Sequence, residues 1–234
     1  MSALELRDIV KHYAAGDEIV RAADGVSLSV EPGELVALYG PSGSGKTTLL
    51  LIAAALLAPD SGSVSFDGRE ISRLSVRESS RYRRDDVGFV FQSFHLLAGA
   101  TTIDNAALKV MAGGLSLREA KQTVRPWLER LDLGHRLEHR AGQLSMGERQ
   151  RVAITRALAG NPRLLLADEP TGNLDSHRTQ EILALLRDIC HQQGIPGLLV
   201  THDLHAQRFA DRVLTLRDGH LIDGLDADLE RTLA

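Results

Sequence analysis

The sequence predicts an α/β fold: a largely parallel sheet core, an antiparallel β subdomain near the start and a helical insertion in the middle. Three observations carry that expectation. Residues 34–39, ELVALY, read as an apolar strand that runs into the glycine-rich stretch 40–47 and then into an apolar helix. Residues 164–169, LLLADE, read as a second apolar strand, ending in two carboxylates. After that strand, helical and extended patterns alternate as they do in βαβ units.

At 234 residues the chain is long for one domain and short for two. It can bury one large core with a smaller subdomain attached. We expect one domain over 1–234, with a core formed by 1–92 and 159–234 and a helical segment over about 93–158. The formal net charge of −4 argues against nucleic acid as a partner, since that role usually shows a basic surface. Only Lys11, Lys46, Lys109 and Lys121 are lysines, and Lys46 falls in the glycine-rich stretch. The single Cys190 excludes an intramolecular disulfide and suits a reducing compartment. Its neighbours place it on a helix, as a half-buried structural thiol. The opening MSALELRDIV carries charges where a signal peptide has its apolar region. The longest apolar run, LLLIAAALLA at 49–58, would span about 15 Å as a helix against a hydrocarbon core of about 30 Å. No membrane crossing is expected.

The elements follow in order. LELRDIVKHY, GVSLSV and GSVSFDG read as strands, the last closing on a glycine turn. VGFVFQ, 87–92, is another short apolar strand. Arginines scattered over 69–84 are interleaved with Glu70, Glu78, Asp85 and Asp86, which suits a solvated helix face better than a nucleic-acid patch. TIDNAALKVM and SLREAKQTVRPWLERL carry apolar residues at helical spacing, with Pro126 as a kink or break. His135 and His139, four apart, suit a polar helix face, and no histidine pair has zinc-ligand spacing beside cysteines. The strand RLLLAD, the helix SHRTQEILALLRDICHQQ and the strand GLLVTH come next. RVLTLRDGHLID, 212–223, reads as a hairpin turning at Asp218-Gly219.

GPSGSGKT, 40–47, fits G-x-x-x-x-G-K-[ST] between a strand and a helix, the signature of a P-loop NTPase. Such glycines let backbone N–H groups curl around a phosphate, and the helix N-terminus adds its dipole. The candidate nucleotide contacts are Gly40, Pro41, Ser42, Gly43, Ser44, Gly45, Lys46, Thr47 and Thr48. Lys46 would bridge the β- and γ-phosphates, and the Thr47 hydroxyl would ligate Mg²⁺. Asp168, at a strand's carboxyl end, can hold Mg²⁺ through water, and Glu169 can polarise the attacking water. Ser145-Met146-Gly147-Glu148 fits the S-x-x-E capping box, so Ser145 should start a helix running through Ala157. A capped, glycine-containing helix start also offers N–H groups to an anion. That motif alone is equally the mark of an ordinary well-capped helix.

LSMGERQRVAITRAL, 144–158, resembles the signature helix of ATP-binding cassette (ABC) ATPases. The phosphate loop, LLLADEP and His202 agree with that family in order and spacing, so the resemblance covers essentially the whole chain. It implies an ABC-type core, ATP and Mg²⁺ as ligands, and a homodimer closing around two ATP. Tyr13 resembles the aromatic that stacks on adenine, and Gln92 the glutamine that touches Mg²⁺ and the attacking water. Asn173-Leu174-Asp175 resembles the loop that reaches across the dimer, and His202 the switch that senses the γ-phosphate. Ser145 and Gly147 would contact the γ-phosphate held by the opposite subunit. Met146 departs from the family's usual LSGGQ, standing where a glycine is usual, and is expected to weaken or slow dimer closure without abolishing hydrolysis. Glu148 for Gln is a mild departure, because either completes the capping box.

EPTGNLD, 169–175, together with VGFVFQSFHLL, is similar to a narrower branch: the ATPases of lipoprotein-releasing, macrolide- or peptide-exporting and cell-division systems. That branch implies separate integral-membrane permease subunits and a peripheral location on the cytoplasmic side of the cell membrane. Residues 92–105 would form the groove for a cytoplasmic helix of the permease, with Phe94, Leu96 and Leu97 as contacts or, equally, as core residues. A non-transport ABC ATPase, of cell-division or cofactor-assembly type, is the alternative. A stand-alone P-loop kinase or GTPase fits less well, because the signature helix is present and no guanine-reading N-K-x-D motif is found.

Overall fold

The computed structural model describes residues 3–16, 18–172 and 174–224. Two sheets form. The first, in the order β2-β1-β4-β5, is antiparallel: β1 (Leu4–Ala15) lies between β2 (Glu18–Val30) and β4 (Ser61–Phe66), and β4 carries the short β5 (Arg69–Glu70). The second contains β3 (Leu35–Tyr39), β6 (Val87–Val90), β7 (Leu164–Asp168), β8 (Gly197–Val200), β9 (Arg212–Arg217) and β10 (His220–Asp223). Its order is β10-β9-β3-β8-β7-β6, parallel except for the edge strand β10, which returns from β9 through the Asp218-Gly219 turn. Both turn residues have positive φ, the conformation a two-residue I′ hairpin requires.

The parallel strands are buried on both faces, which is why they read as apolar runs without alternation. The two-residue period reappears in what each face packs against. Val36, Leu38, Leu164 and Leu166 join the core shared with the antiparallel sheet and α1 (Lys46–Ala53). Leu35, Ala37, Leu165 and Ala167 face the other way, onto Ile182, Leu183 and Leu186 of α6 (Ser176–Gln193). A third core is helical, built by α3 (Thr102–Ala112), α4 (Leu117–Arg130) and the first half of α5 (Met146–Leu158), with Ile103, Val124, Leu128 and Val152 at its centre. The second half of α5 contributes Ile154, Ala157 and Leu158 to the α6 side of the sheet, so one helix ties the helical lobe to the core.

Three local expectations are corrected. Pro126 does not break α4: the helix runs on to Arg130. The proline is exposed, so the carbonyl of Gln122 that loses its donor faces water. His135 lies in the short 3₁₀ turn Gly134–Arg136 and His139 beyond it, so the two do not share a helix face; the His139 ring meets Arg136 at 3.2 Å instead. Cys190 is fully buried rather than half-buried. The arginine-rich stretch does form a solvated helix, α2 (Val76–Asp85), with Tyr82 as its buried residue. Among the described residues no helix is long and apolar enough to cross a membrane.

Candidate active site

Four chain segments leave the carboxyl ends of neighbouring parallel strands and meet in one cleft of about 700 Å³. β3 delivers Gly40, β8 delivers His202, β7 delivers Glu169 and β6 delivers Gln92, in the lateral order β3-β8-β7-β6. Ligands of open α/β sheets bind at this edge, where strands end and loops diverge.

The glycine-rich loop is shaped by two close approaches. Gly40 has φ +150°, and a Cβ there would collide with the Leu216 carbonyl. Gly45, at φ +98°, caps α1, and a Cβ would collide with the Ala22 carbonyl. The helix then starts without a side-chain cap and without an acidic residue in its first turn, leaving its first N–H groups open to an anion. The Ser44 hydroxyl is buried with no hydrogen-bond partner among the described residues, which suits a phosphate oxygen as its missing partner. Lys46 is largely buried, and its ammonium donates to the carbonyls of Gly40 at 2.9 Å and Pro41 at 2.8 Å. Burial pushes the Lys46 pKa down, opposed by the charges of Glu169 and Asp168.

Opposite the loop, the Thr47 hydroxyl donates to Asp168 Oδ1 at 3.2 Å. Burial pushes the Asp168 carboxyl up, and the Thr47 hydrogen bond opposes that shift. Glu169 has φ +46°, a left-handed conformation unusual for a non-glycine residue at a strand end. Its Oε1 lies 2.8 Å from His202 Nδ1, and its Oε2 accepts from the His202 backbone N–H at 3.3 Å. His202 itself is exposed, while the Glu169 side chain is 11% exposed. A mostly buried carboxylate is thus held by an imidazole at the mouth of a phosphate-shaped loop.

The ABC transporter family model matches residues 23–172, from the antiparallel sheet through the strand-end carboxylates. The chain belongs to the ABC transporter family. It is 47% identical over 218 residues to the lipoprotein-releasing system ATP-binding protein LolD 2 of Caulobacter vibrioides, covering 93% of this chain and 96% of that protein. A macrolide export ATP-binding/permease protein, MacB of Chlorobaculum tepidum, is 45% identical over 94% of this chain and 34% of its own length. Among solved structures, a dimeric bacterial ABC transporter cassette superposes with a TM-score of 0.87 at 38% identity, covering 95% of this chain and all of that one. A dimeric post-hydrolysis cassette bound to ADP and phosphate gives the same TM-score at 37% identity. The chain is accordingly a nucleotide-binding ATPase cassette.

Within the cassette, Gly40, Pro41, Ser42, Gly43, Lys46, Thr47, Gln92, Glu169 and His202 line the cleft. Thr48 is half-buried in the first turn of α1. Tyr13 sits on β1, 41% exposed and outside the cleft lining, with Lys11 Nζ 5.7 Å from its ring centre. Ser145 and Gly147 also stand apart from this cleft. Ser145 caps α5 as its sequence requires: its Oγ accepts from Glu148 N at 3.3 Å, and Glu148 Oε2 accepts from Ser145 N at 2.7 Å. Leu174 and Asp175 precede α6, with Asp175 as its cap, and Asn173 lies outside the described residues. Phe94 and Leu96 are half-buried and Leu97 is exposed. Sequence reasoning missed Tyr39, Thr215 and Arg217, which also line the cleft. Tyr39 reads as a core strand residue, yet its hydroxyl donates to the Asp203 carbonyl at 3.0 Å, tying the phosphate-loop strand to the segment that carries His202. Its place immediately before Gly40 was the available signal.

Proposed function

We propose that this cassette is the ATP-hydrolysing subunit of a lipoprotein-releasing or exporting system, working as a homodimer that closes around two ATP on separate integral-membrane permease subunits. The observation that carries this reading is the convergence of Lys46, Glu169, His202 and Gln92 on one cleft, with Asp168 held against its Thr47 and the capped helix start at Ser145 outside it. In the closed state Lys46 exchanges its two carbonyl partners for the β- and γ-phosphate oxygens, a charge-assisted replacement for neutral contacts. The oxygen donors of Thr47 and Asp168, already facing each other, fit Mg²⁺, which would neutralise phosphate charge when bound. Glu169 takes the proton of the attacking water, and His202 holds that carboxylate in place and reaches the γ-phosphate from the exposed side. Ser145 and Gly147 complete the partner's site through the open N–H groups of α5. Tyr13 stacks on the adenine from β1.

Gln92 links the site to the helical lobe, residues 93–158. Arg156 of α5 donates to the carbonyls of Phe94 and His95, so movement of the signature helix is transmitted to the segment after Gln92. The permease would dock on residues 92–105, placing the cassette peripherally on the cytoplasmic side of the membrane. The relatives that this chain matches over nearly their whole length belong to a lipoprotein-releasing system, which favours release over the cell-division or cofactor-assembly alternative. Glu169→Gln should retain ATP binding and lose hydrolysis, while Lys46→Ala should lose ATP affinity. A Glu169→Gln protein that hydrolyses at the wild-type rate would remove the general-base assignment. Co-purification of the tagged chain from membranes should recover a permease carrying a large extracytoplasmic domain.

A further inference from the structure

His202 protrudes from the sheet between two residues that are pinned in place. On one side Thr201, fully buried, donates its N–H to the Leu38 carbonyl at 3.2 Å, carrying the β3–β8 pairing one residue further. On the other side Asp203 folds back. Its N–H donates to Thr201 Oγ1 at 2.9 Å, and its Oδ1 accepts from His205 N at 2.9 Å to cap the short 3₁₀ turn Leu204–Arg208. Its carbonyl accepts from the Tyr39 hydroxyl at 3.0 Å, a bond that comes from the neighbouring strand. Tyr39 ends β3 fully buried, in the same apolar core as Ala206 of that turn. Burial pushes its phenol pKa up and the Asp203 charge adds to the rise, so the hydroxyl stays a protonated donor.

That bond bears on what His202 holds. Glu169 Oε2 accepts from the His202 backbone N–H at 3.3 Å, and Oε1 lies 2.8 Å from its Nδ1. The Glu169 backbone N–H is itself fixed on the Val200 carbonyl at 2.8 Å. The carboxylate is thus oriented by the main chain at 202 as well as by the imidazole, and a shift of that main chain moves both contacts together. Tyr39 also runs directly into Gly40, whose carbonyl accepts from Lys46 Nζ at 2.9 Å. One side chain therefore joins the strand that bears the phosphate loop to the segment that bears the partner of Glu169.

We propose that Tyr39 is a positioning residue for hydrolysis: its hydroxyl, through the Asp203 carbonyl, fixes the main chain at His202 and with it the aim of the Glu169 carboxylate at the attacking water. The inference rests on the reading of Glu169 and His202 above. The role asks for no contact with the nucleotide. Misplacing a catalytic group by about 1 Å can cost two orders of magnitude in rate, so the effect of Tyr39 falls on the chemical step and not on nucleotide affinity.

Tyr39→Phe removes the hydroxyl and keeps the ring, and Tyr39→Met removes it with a different apolar shape. ATP hydrolysis by the full chain gives kcat and KM for each, and MgADP affinity is measured in parallel. We expect both variants to lose kcat on the order of tenfold, with KM and MgADP affinity within about twofold of the parent. Tyr39→Phe is then placed in the His202→Ala background, where single-turnover hydrolysis reads the residual rate. There it should cost less than about twofold, because residues that act as one unit are not additive. A Tyr39→Phe kcat within about twofold of the parent overturns the proposal, as does a matching loss of MgADP affinity, which makes Tyr39 a packing residue of the nucleotide cleft. A full loss repeated on top of His202→Ala also overturns it, since Tyr39 then acts by another route. Should His202→Ala alone hydrolyse at the parent rate, the reading of His202 fails and this inference falls with it.

Discussion

Two residues show how position decides chemistry. Met146 occupies the first helical position of α5 and is 47% exposed, next to the amides that would face the partner's phosphate. Replacing it by glycine should speed ATP-driven dimer closure while costing up to about 1 kcal/mol of stability, because glycine is the poorer helix former. Stopped-flow association and thermal unfolding read the two effects separately, and an unchanged closure rate would remove Met146 as the brake. Cys190 illustrates the opposite case. It is fully buried on α6, and burial pushes its thiol up to about 12. A thiol reagent should therefore label it only after denaturation, and labelling of the native protein would contradict the packing described. Its helical position was legible from its neighbours; the depth of its burial was not. That depth depends on Gly197, whose missing side chain lets β8 approach the sulfur from another part of the chain.

Among the elements, those carried by local signals were readable and those set by tertiary context were not. The capping box at Ser145, the P-loop glycines and the Asp218-Gly219 turn each encode their geometry within a few residues. The passage of α4 through Pro126 depends on which side of the helix meets water, and the 3₁₀ turn at His135 on what the helical lobe packs against. Lys109 belongs to that second kind. From α3 its ammonium donates to the Val87 carbonyl at 2.6 Å and the Ala157 carbonyl at 3.1 Å, joining the helical lobe to β6 and to the negative end of α5. Burial lowers its pKa from 10.5 to about 8. Below about 8 both folded and unfolded chains carry the proton, and the burial penalty is felt in full. Between about 8 and 10.5 the unfolded chain binds more protons, so the Lys109 contribution to stability rises with pH. Denaturant unfolding of the wild type against Lys109→Met across that window should show the difference shifting in favour of the wild type. A difference independent of pH would contradict the burial of that ammonium.

For the whole molecule, the account divides one chemical task between two copies. The cleft that holds the phosphate loop, Glu169 and His202, with Asp168 bonded to Thr47 at its edge, was legible almost completely, because these residues follow or end buried strands of the same parallel sheet. The contribution of Tyr39 was not, since it depends on a contact between distant segments, a hydroxyl on the Asp203 carbonyl. Ser145 and Gly147 lie outside this subunit's own cleft, which is where a residue serving the partner's nucleotide belongs. The central claim is therefore that ATP is the glue of a symmetric dimer and that Ser145 acts across it. The most direct measurement is sedimentation velocity of Glu169→Gln with MgATP, alone and combined with Ser145→Arg, with ATP affinity of the monomer determined for both. The account predicts a dimer for the single variant and a monomer of unchanged ATP affinity for the double variant. A single variant that remains monomeric, or a double variant that dimerises as well as the single one, would contradict it.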